Sequence, residues 1–148
     1  MKIGIITFHR AVNYGAVLQA YALQTMIQKL GADVEILDYR CSYLEDNYNP
    51  IKILGRASNI KGFLGILVKV FPSAVKKKRS FDRFLKDHLN ISKERYNRNS
   101  VYQSNQVYDI FITGSDQVWN YNHTNFDKSF FLLYRKFRFL DKGEKKPC

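Results

Sequence analysis

The chain has few cysteines, no long apolar run and a shortage of acidic side chains. Each shortage removes a class of protein. Its two cysteines, Cys41 and the terminal Cys148, are too few and too irregularly spaced for a disulfide framework or a metal cage. A reducing, cytoplasmic setting is the expectation. The first residues offer one lysine and a short apolar stretch before His9-Arg10, less than a signal-peptide core. Ile60–Phe71 is apolar but holds Lys61 and Lys69, and a membrane span needs about 20 apolar residues. The reading is a soluble protein, working at most at the inner face of a membrane.

Acidic residues number 13 against 24 lysines and arginines, a formal charge of +11. The imbalance is local. Residues 1–50 carry four basic and five acidic side chains, and residues 51–148 carry twenty and eight. The tightest run, Lys76-Lys77-Lys78-Arg79, could touch nucleic acid or anionic lipid, although a solvated helix face is the favoured explanation. No zinc-finger cysteines and no glycine-and-aromatic motif of the RNA-binding kind accompany it, which argues against a nucleic-acid partner.

What is present fits one domain. At 148 residues, with 45% hydrophobic and 15% aromatic content, the chain can bury a real core. Lys2–Phe8, KIGIITF, is short, β-branched and almost wholly apolar, as in an interior strand of a parallel sheet. Asn13 is a candidate N-cap for a helix over Ala16–Leu30. That helix presents two adjoining apolar faces, one with Leu18, Tyr21, Ala22, Met26 and Leu30, the other with Ala16, Ala20, Leu23 and Ile27. Gly31 is placed as a C-terminal cap, and Val34–Leu37 reads as a second strand. The result is a βαβ unit.

Residues 41–73 read as a long irregular insertion, with Ile60–Phe71 a short helix or apolar loop closed by Pro72. Ala74–Asn90 reads as a helix with a stripe of Phe81, Phe84, Leu85, His88 and Leu89. Ile91–Asn99 reads as a polar linker, and Ser100–Val107 as one or two helical turns. The stretch Tyr108–Asn120, YDIFITGSDQVWN, supplies a third strand, Ile110–Ile112, that delivers a polar loop to the sheet edge. Open α/β sheets bind their ligands at that edge. A dinucleotide site is excluded: Asp38 holds the acidic position, but the first loop has a single glycine where the pyrophosphate would need several.

Two stretches then carry a resemblance. Phe8–Gln24, FHRAVNYGAVLQAYALQ, with Leu30-Gly31, Val34-Glu35-Ile36 and Asp38-Tyr39, resembles the N-terminus of the polysaccharide pyruvyl transferase family. Tyr108-Asp109 with Gly114-Ser115-Asp116-Gln117-Val118-Trp119-Asn120 resembles the family's second hallmark. The resemblance covers residues 2–132. It implies a Rossmann-like α/β lobe, one of the two that face each other across a cleft in GT-B-like transferases. It also implies transfer of pyruvate as a ketal from phosphoenolpyruvate, a substrate rather than a cofactor, to a sugar or lipid-linked glycan of a cell-surface polysaccharide. The family's chains are more than twice this length. The expectation is therefore a truncated, frameshifted or split member, inactive alone, whose second lobe a separate chain would supply. Residues 133–148, LYRKFRFLDKGEKKPC, read as a basic tail outside the family.

Forming a ketal from an enol ester needs a proton on the methylene carbon and a group that handles hydroxyl protons, with cations around the donor's anionic groups. Asp116 is the candidate acid/base, since a dianionic donor beside it would raise its pKa; its alternative role is to cap a turn. His9, Asn13, Tyr14, Gly15 and Gln19 in the first loop, and Gly114, Ser115, Gln117 and Trp119 in the second, are the candidate substrate-binding residues. Simpler roles stand beside these: helix start and surface polarity for Gly15 and Gln19, a solvated pair for His9 and Arg10, and core packing for Trp119. No metal ligands and no cofactor are expected. The alternatives are a nucleotide-sugar glycosyltransferase lobe and a non-catalytic basic domain binding nucleic acid or anionic glycan.

Overall fold

The computed structural model describes residues 1–41, 43, 45, 49, 51, 52, 55, 58–114, 116–120, 124 and 127–133. Four parallel strands form one sheet in the order β3-β2-β1-β4. They are β1 (Lys2–Ile6), β2 (Asp33–Tyr39), β3 (Ile91–Tyr96) and β4 (Ile110–Thr113). Chain order runs outward from β1 through β2 to β3, then returns to place β4 on the other side of β1. This is an α/β fold of the Rossmann-like kind. The reversal between β1 and β4 makes their carboxyl ends a topological switch point, where neighbouring loops diverge and leave a crevice.

Helix α1 (Tyr14–Lys29) is capped by Asn13, whose Oδ1 accepts from the Ala16 N–H at 3.3 Å. It ends before Gly31 at φ +80°, a left-handed position that only glycine adopts without strain. Of the two apolar faces expected, one is buried. Val17, Ala20, Gln24 and Ile27 face the sheet, whereas Leu18 and Met26 are more than half exposed. Gln24 earns its buried place by hydrogen bonding. Its Oε1 accepts from Asn90 N at 2.8 Å, and its Nε2 donates to the His88 carbonyl at 3.3 Å. That clasp ties α1 to the turn that starts β3.

From Ile60 onward the expected insertion is helical. Helix α2 (Ile60–Gly65) continues through a π-helical turn (Ile66–Val70) into α3 (Phe71–His88). Pro72 does not close the first helix. It lies in the first turn of α3, and because it has no N–H the hydrogen-bond ladder widens just ahead of it. Phe81 and Leu85 of α3, with Leu89, join Ile3, Ile5, Val17, Ala20, Ile27, Val34 and Ile36 in one core cluster. Both α1 and α3 therefore cover the same face of the sheet.

The other face is covered by short elements. Its cluster includes Ile6, Leu37, Val101, Tyr108, Phe111, Val118 and Phe130, drawn partly from 3-10 turns at Val101–Gln106, Asp116–Trp119 and Lys128–Phe131. Tyr108 rests over Gly4, where an added Cβ would stand 3.0 Å from Tyr108 Cγ and 2.6 Å from Leu37 Cδ1. The Tyr108 phenol donates to Glu35 at 2.8 Å. Burial, with that bond, pushes its pKa up, so it stays a donor.

The polar linker expected over Ile91–Asn99 is instead strand β3. Only Ser92 and Tyr96 are buried in it, with Ile91 partly so. It is an edge strand, and its exposed Lys93, Glu94 and Arg95 hide the alternation that would mark it, as charged residues on sheet edges commonly do.

Candidate functional site

The site is built where β1 and β4 end. Their register pairs Ile6 with Thr113, and the Gly114 N–H donates to the Ile6 carbonyl at 3.3 Å. The loops that follow, Thr7–Asn13 and Gly114–Asn120, thus leave the sheet side by side. Gly114 also meets α1: a Cβ there would lie 3.0 Å from Leu23 Cδ2. The glycine lets the β4 loop turn against the helix that the β1 loop begins.

The β1 loop is held from beneath by charge. His9, 1% exposed, lies between two acceptors, the Thr7 carbonyl at 3.2 Å from Nδ1 and Asp38 Oδ1 at 3.4 Å from Nε2. A neutral ring can donate to one of them and an imidazolium to both. Asp38, also buried, accepts from Arg10 Nε at 2.9 Å and from Arg40 at 2.9 Å, with Arg95 at 3.8 Å. Its own N–H donates to Ser92 Oγ at 2.9 Å. Burial alone would raise the Asp38 pKa; hydrogen bonds from His9, Arg10 and Arg40 outweigh it and hold the carboxylate well below its usual range. The solvated His9–Arg10 pair is not what is found. Both side chains bond to Asp38 at the end of β2, and that of His9 is buried.

A third segment closes over the same edge. Phe130 packs edge-on to Phe8 and Tyr39, with ring centroids 5.0 and 5.2 Å away, and its carbonyl accepts from Thr113 Oγ1 at 2.9 Å. Tyr39 donates to the buried Asp127, which also caps the following turn through Ser129 N. Burial and this bond push the Tyr39 phenol up, keeping it protonated. A cavity of about 10 Å³ among Phe8, Arg10, Tyr39, Cys41 and Phe130 has room for at most a single water. The edge here is packed shut.

The other candidates are on the outside. Asn13 holds the N-terminus of α1, and Tyr14, Gly15 and Gln19 are exposed on its first turns. The Tyr14 ring lies 4.8 Å from that of Phe81 on α3. At Gly15 an added Cβ would lie 3.3 Å from the capping Asn13 Oδ1, close enough that the cap would have to shift by a few tenths of an ångström. In the β4 loop the turn Asp116–Trp119 is anchored by the fully buried Val118, which leaves Gln117 and Trp119 facing solvent. Trp119 is 53% exposed, so the core placement expected of a lone tryptophan is corrected. Ser115 and the side chain of Asp116 lie outside the described residues.

Nothing in the sequence marks Arg40 or Asp127 as partners at this edge. Asp38 was visible as the acidic end of β2, but its partners come from three separate strand ends. Among the described residues, no group of three or more histidine, cysteine or acidic side chains is placed to hold a metal ion, and no helix is long and apolar enough to cross a membrane.

A family model, polysaccharide pyruvyl transferase, matches residues 13–148. The chain belongs to the polysaccharide pyruvyl transferase family. The match starts at the α1 cap, takes in the β4 loop and continues through residues 133–148, the stretch that the sequence suggested was a tail outside the family. No curated protein and no solved structure matches the chain. The family's name denotes a transferase.

Proposed function

We propose that the chain serves pyruvyl transfer from phosphoenolpyruvate to two hydroxyls of a sugar in a cell-surface polysaccharide, and that the β1 and β4 loops hold the acceptor. The supporting observation is the meeting of these loops at the switch point of the sheet, Ile6 against Thr113, in a chain of this family. Of the two loops, the β1 loop is fixed by the Asp38 ion pairs and the β4 loop faces outward.

The reaction balances as follows. A proton is added to the donor's methylene carbon, which becomes the methyl group and leaves a cationic centre at C2. One sugar hydroxyl attacks that centre and gives up its proton. The second hydroxyl then displaces phosphate, and its proton leaves with the phosphate. Asp116, at the start of the outward-facing turn, is the proposed group that delivers the first proton and recovers one from a hydroxyl. Trp119 offers an exposed ring face for the sugar. Gln117 and Asn13 offer amides for its hydroxyls. The phosphoenolpyruvate carboxylate and phosphate require cations, and the acceptor is a sugar or lipid-linked glycan.

The test is genetic. Deleting the gene is expected to remove ketal-linked pyruvate from the cell's polysaccharide, read as loss of its methyl signal by proton NMR, and re-expression of the chain to restore it. Unchanged pyruvate content in the deletion strain would sink the proposal.

A further inference from the structure

Helix α2, the π turn and α3 form one continuous helical rod of 29 residues from Ile60 to His88. Its two halves live in different surroundings. The half around Phe81 and Leu85 is packed on the sheet. The half from Ile60 to Val70 buries none of its described residues, although Ile60, Phe63, Leu64, Leu67, Val68 and Val70 are all large, apolar and exposed, from 37% for Leu67 to 80% for Ile60. Scattered exposed apolar residues need no explanation, but six on one short helix form a patch of the kind that marks an interaction site.

Charge identifies what the patch faces. Eight lysines and arginines against two aspartates lie between Ile60 and His88. Lys61 and Lys69 interleave with the apolar residues, and Lys76, Arg79 and Arg83 line a groove with Phe71, Pro72 and Val75 that continues the same surface. A protein partner's helix would need an acidic rim to match. An apolar strip of this length, too short to span and flanked by cations, has the composition of a helix that lies in the interface of an anionic bilayer.

Position gives the contact a use. Phe81 touches Tyr14 at the start of α1, so it marks the level of the carboxyl edge of the sheet. Val70 stands eleven residues earlier, about 16 Å along the helix axis. The apolar half of the rod therefore overhangs the edge that carries the β1 and β4 loops. We infer that Ile60–Val70 docks the chain onto an anionic membrane surface, with the Lys76–Arg83 cations on the headgroups, bringing the loop edge alongside the bilayer. On the pyruvyl-transfer reading above, this favours a lipid-linked acceptor; the docking itself does not depend on that reading.

Vesicle sedimentation of the full chain tests it, with phosphatidylcholine alone and with added phosphatidylglycerol. Binding to the anionic vesicles is expected to be at least tenfold tighter, and to weaken as salt shortens the screening length. The double variant Leu64→Glu/Val68→Glu should lose it while keeping the wild-type circular dichroism and melting temperature, since neither side chain is in the core. Replacing Lys76, Arg79 and Arg83 by Gln should weaken it about fivefold per cation removed. Equal binding by the double variant, or by the triple glutamine variant, overturns the inference. So does a wild type that ignores anionic vesicles but forms a dimer that Leu64→Glu/Val68→Glu dissolves, because the face would then be a contact between copies. None of these readouts involves pyruvyl transfer, so failure of the docking and failure of the transferase reading are told apart.

Discussion

The loop after β1 and the loop after β4 leave the sheet as neighbours, yet they are built in opposite ways. The first turns its charged side chains inward: His9 and Arg10 are spent on Asp38, a buried carboxylate that also takes Arg40. In the second, among the described side chains, Val118 is buried while Gln117 and Trp119 face solvent. The difference teaches a division of labour. The first loop is tied to the end of β2 through Asp38, and the second carries the residues proposed above for chemistry on a ligand.

The largest effect expected from breaking this comparison is on the outward loop. Asp116→Asn should lower pyruvyl transfer by about 10²-fold or more, the usual size of a general acid/base contribution. On the proposed role the loss is one of chemistry and not of folding, so the unfolding midpoint should stay near wild type; the polysaccharide's pyruvate content and a urea melt check the two halves. On the inward loop the order reverses. Asp38→Asn leaves Arg10 and Arg40 facing a neutral amide, and should cost about 2–3 kcal/mol in urea unfolding, below the full figure for a buried pair because the guanidiniums are partly exposed.

The Asp38 effect carries a pH signature. Its folded pKa is depressed, so its stabilisation is fully present above the unfolded value near 4 and is lost as pH falls through the folded value. Between pH 7 and about 5 the gap between wild type and Asp38→Asn should be constant, and below about 4 it should narrow. A gap that closes between pH 7 and 5 would point to a different group.

Smaller effects sharpen the boundary between the loops. Gly114→Ala drives a Cβ to 3.0 Å from Leu23 and is expected to cost about 1–2 kcal/mol. Trp119→Ala should leave stability nearly unchanged while weakening acceptor use. Gly31→Ala, far from the edge, serves as a control: it is strained at φ +80°, should cost about 1 kcal/mol, and should leave pyruvate content untouched.

Much of the frame was legible in the sequence because it rests on local signals. Apolar runs mark β1 and β4, a run interrupted by Glu35 marks β2, and the Asn13 cap and Gly31 stop bracket α1. The two loops were identifiable because each follows one of those runs. What stayed hidden depends on contacts between distant segments. Strand β3 reads as polar because its outward residues are charged and it lies at an edge. The exposed face of α1 reads like its buried one, because sequence shows that a helix face is apolar and not whether anything covers it. Gln24 looks like surface polarity until the Asn90 N–H and His88 carbonyl are placed beside it. Asp38 gains its meaning only when residues 9, 10, 40 and 95 converge on it.

The division of labour is tested most directly by comparing Asp116→Asn and Asp38→Asn in the same background, reading ketal-linked pyruvate in the polysaccharide per molecule of folded chain. The account predicts that Asp116→Asn falls to the level of the deletion strain with a normal unfolding midpoint. Asp38→Asn should retain most of its pyruvate per folded molecule and lose its midpoint instead. Wild-type pyruvate content in the Asp116→Asn strain would contradict the assignment of chemistry to the outward loop.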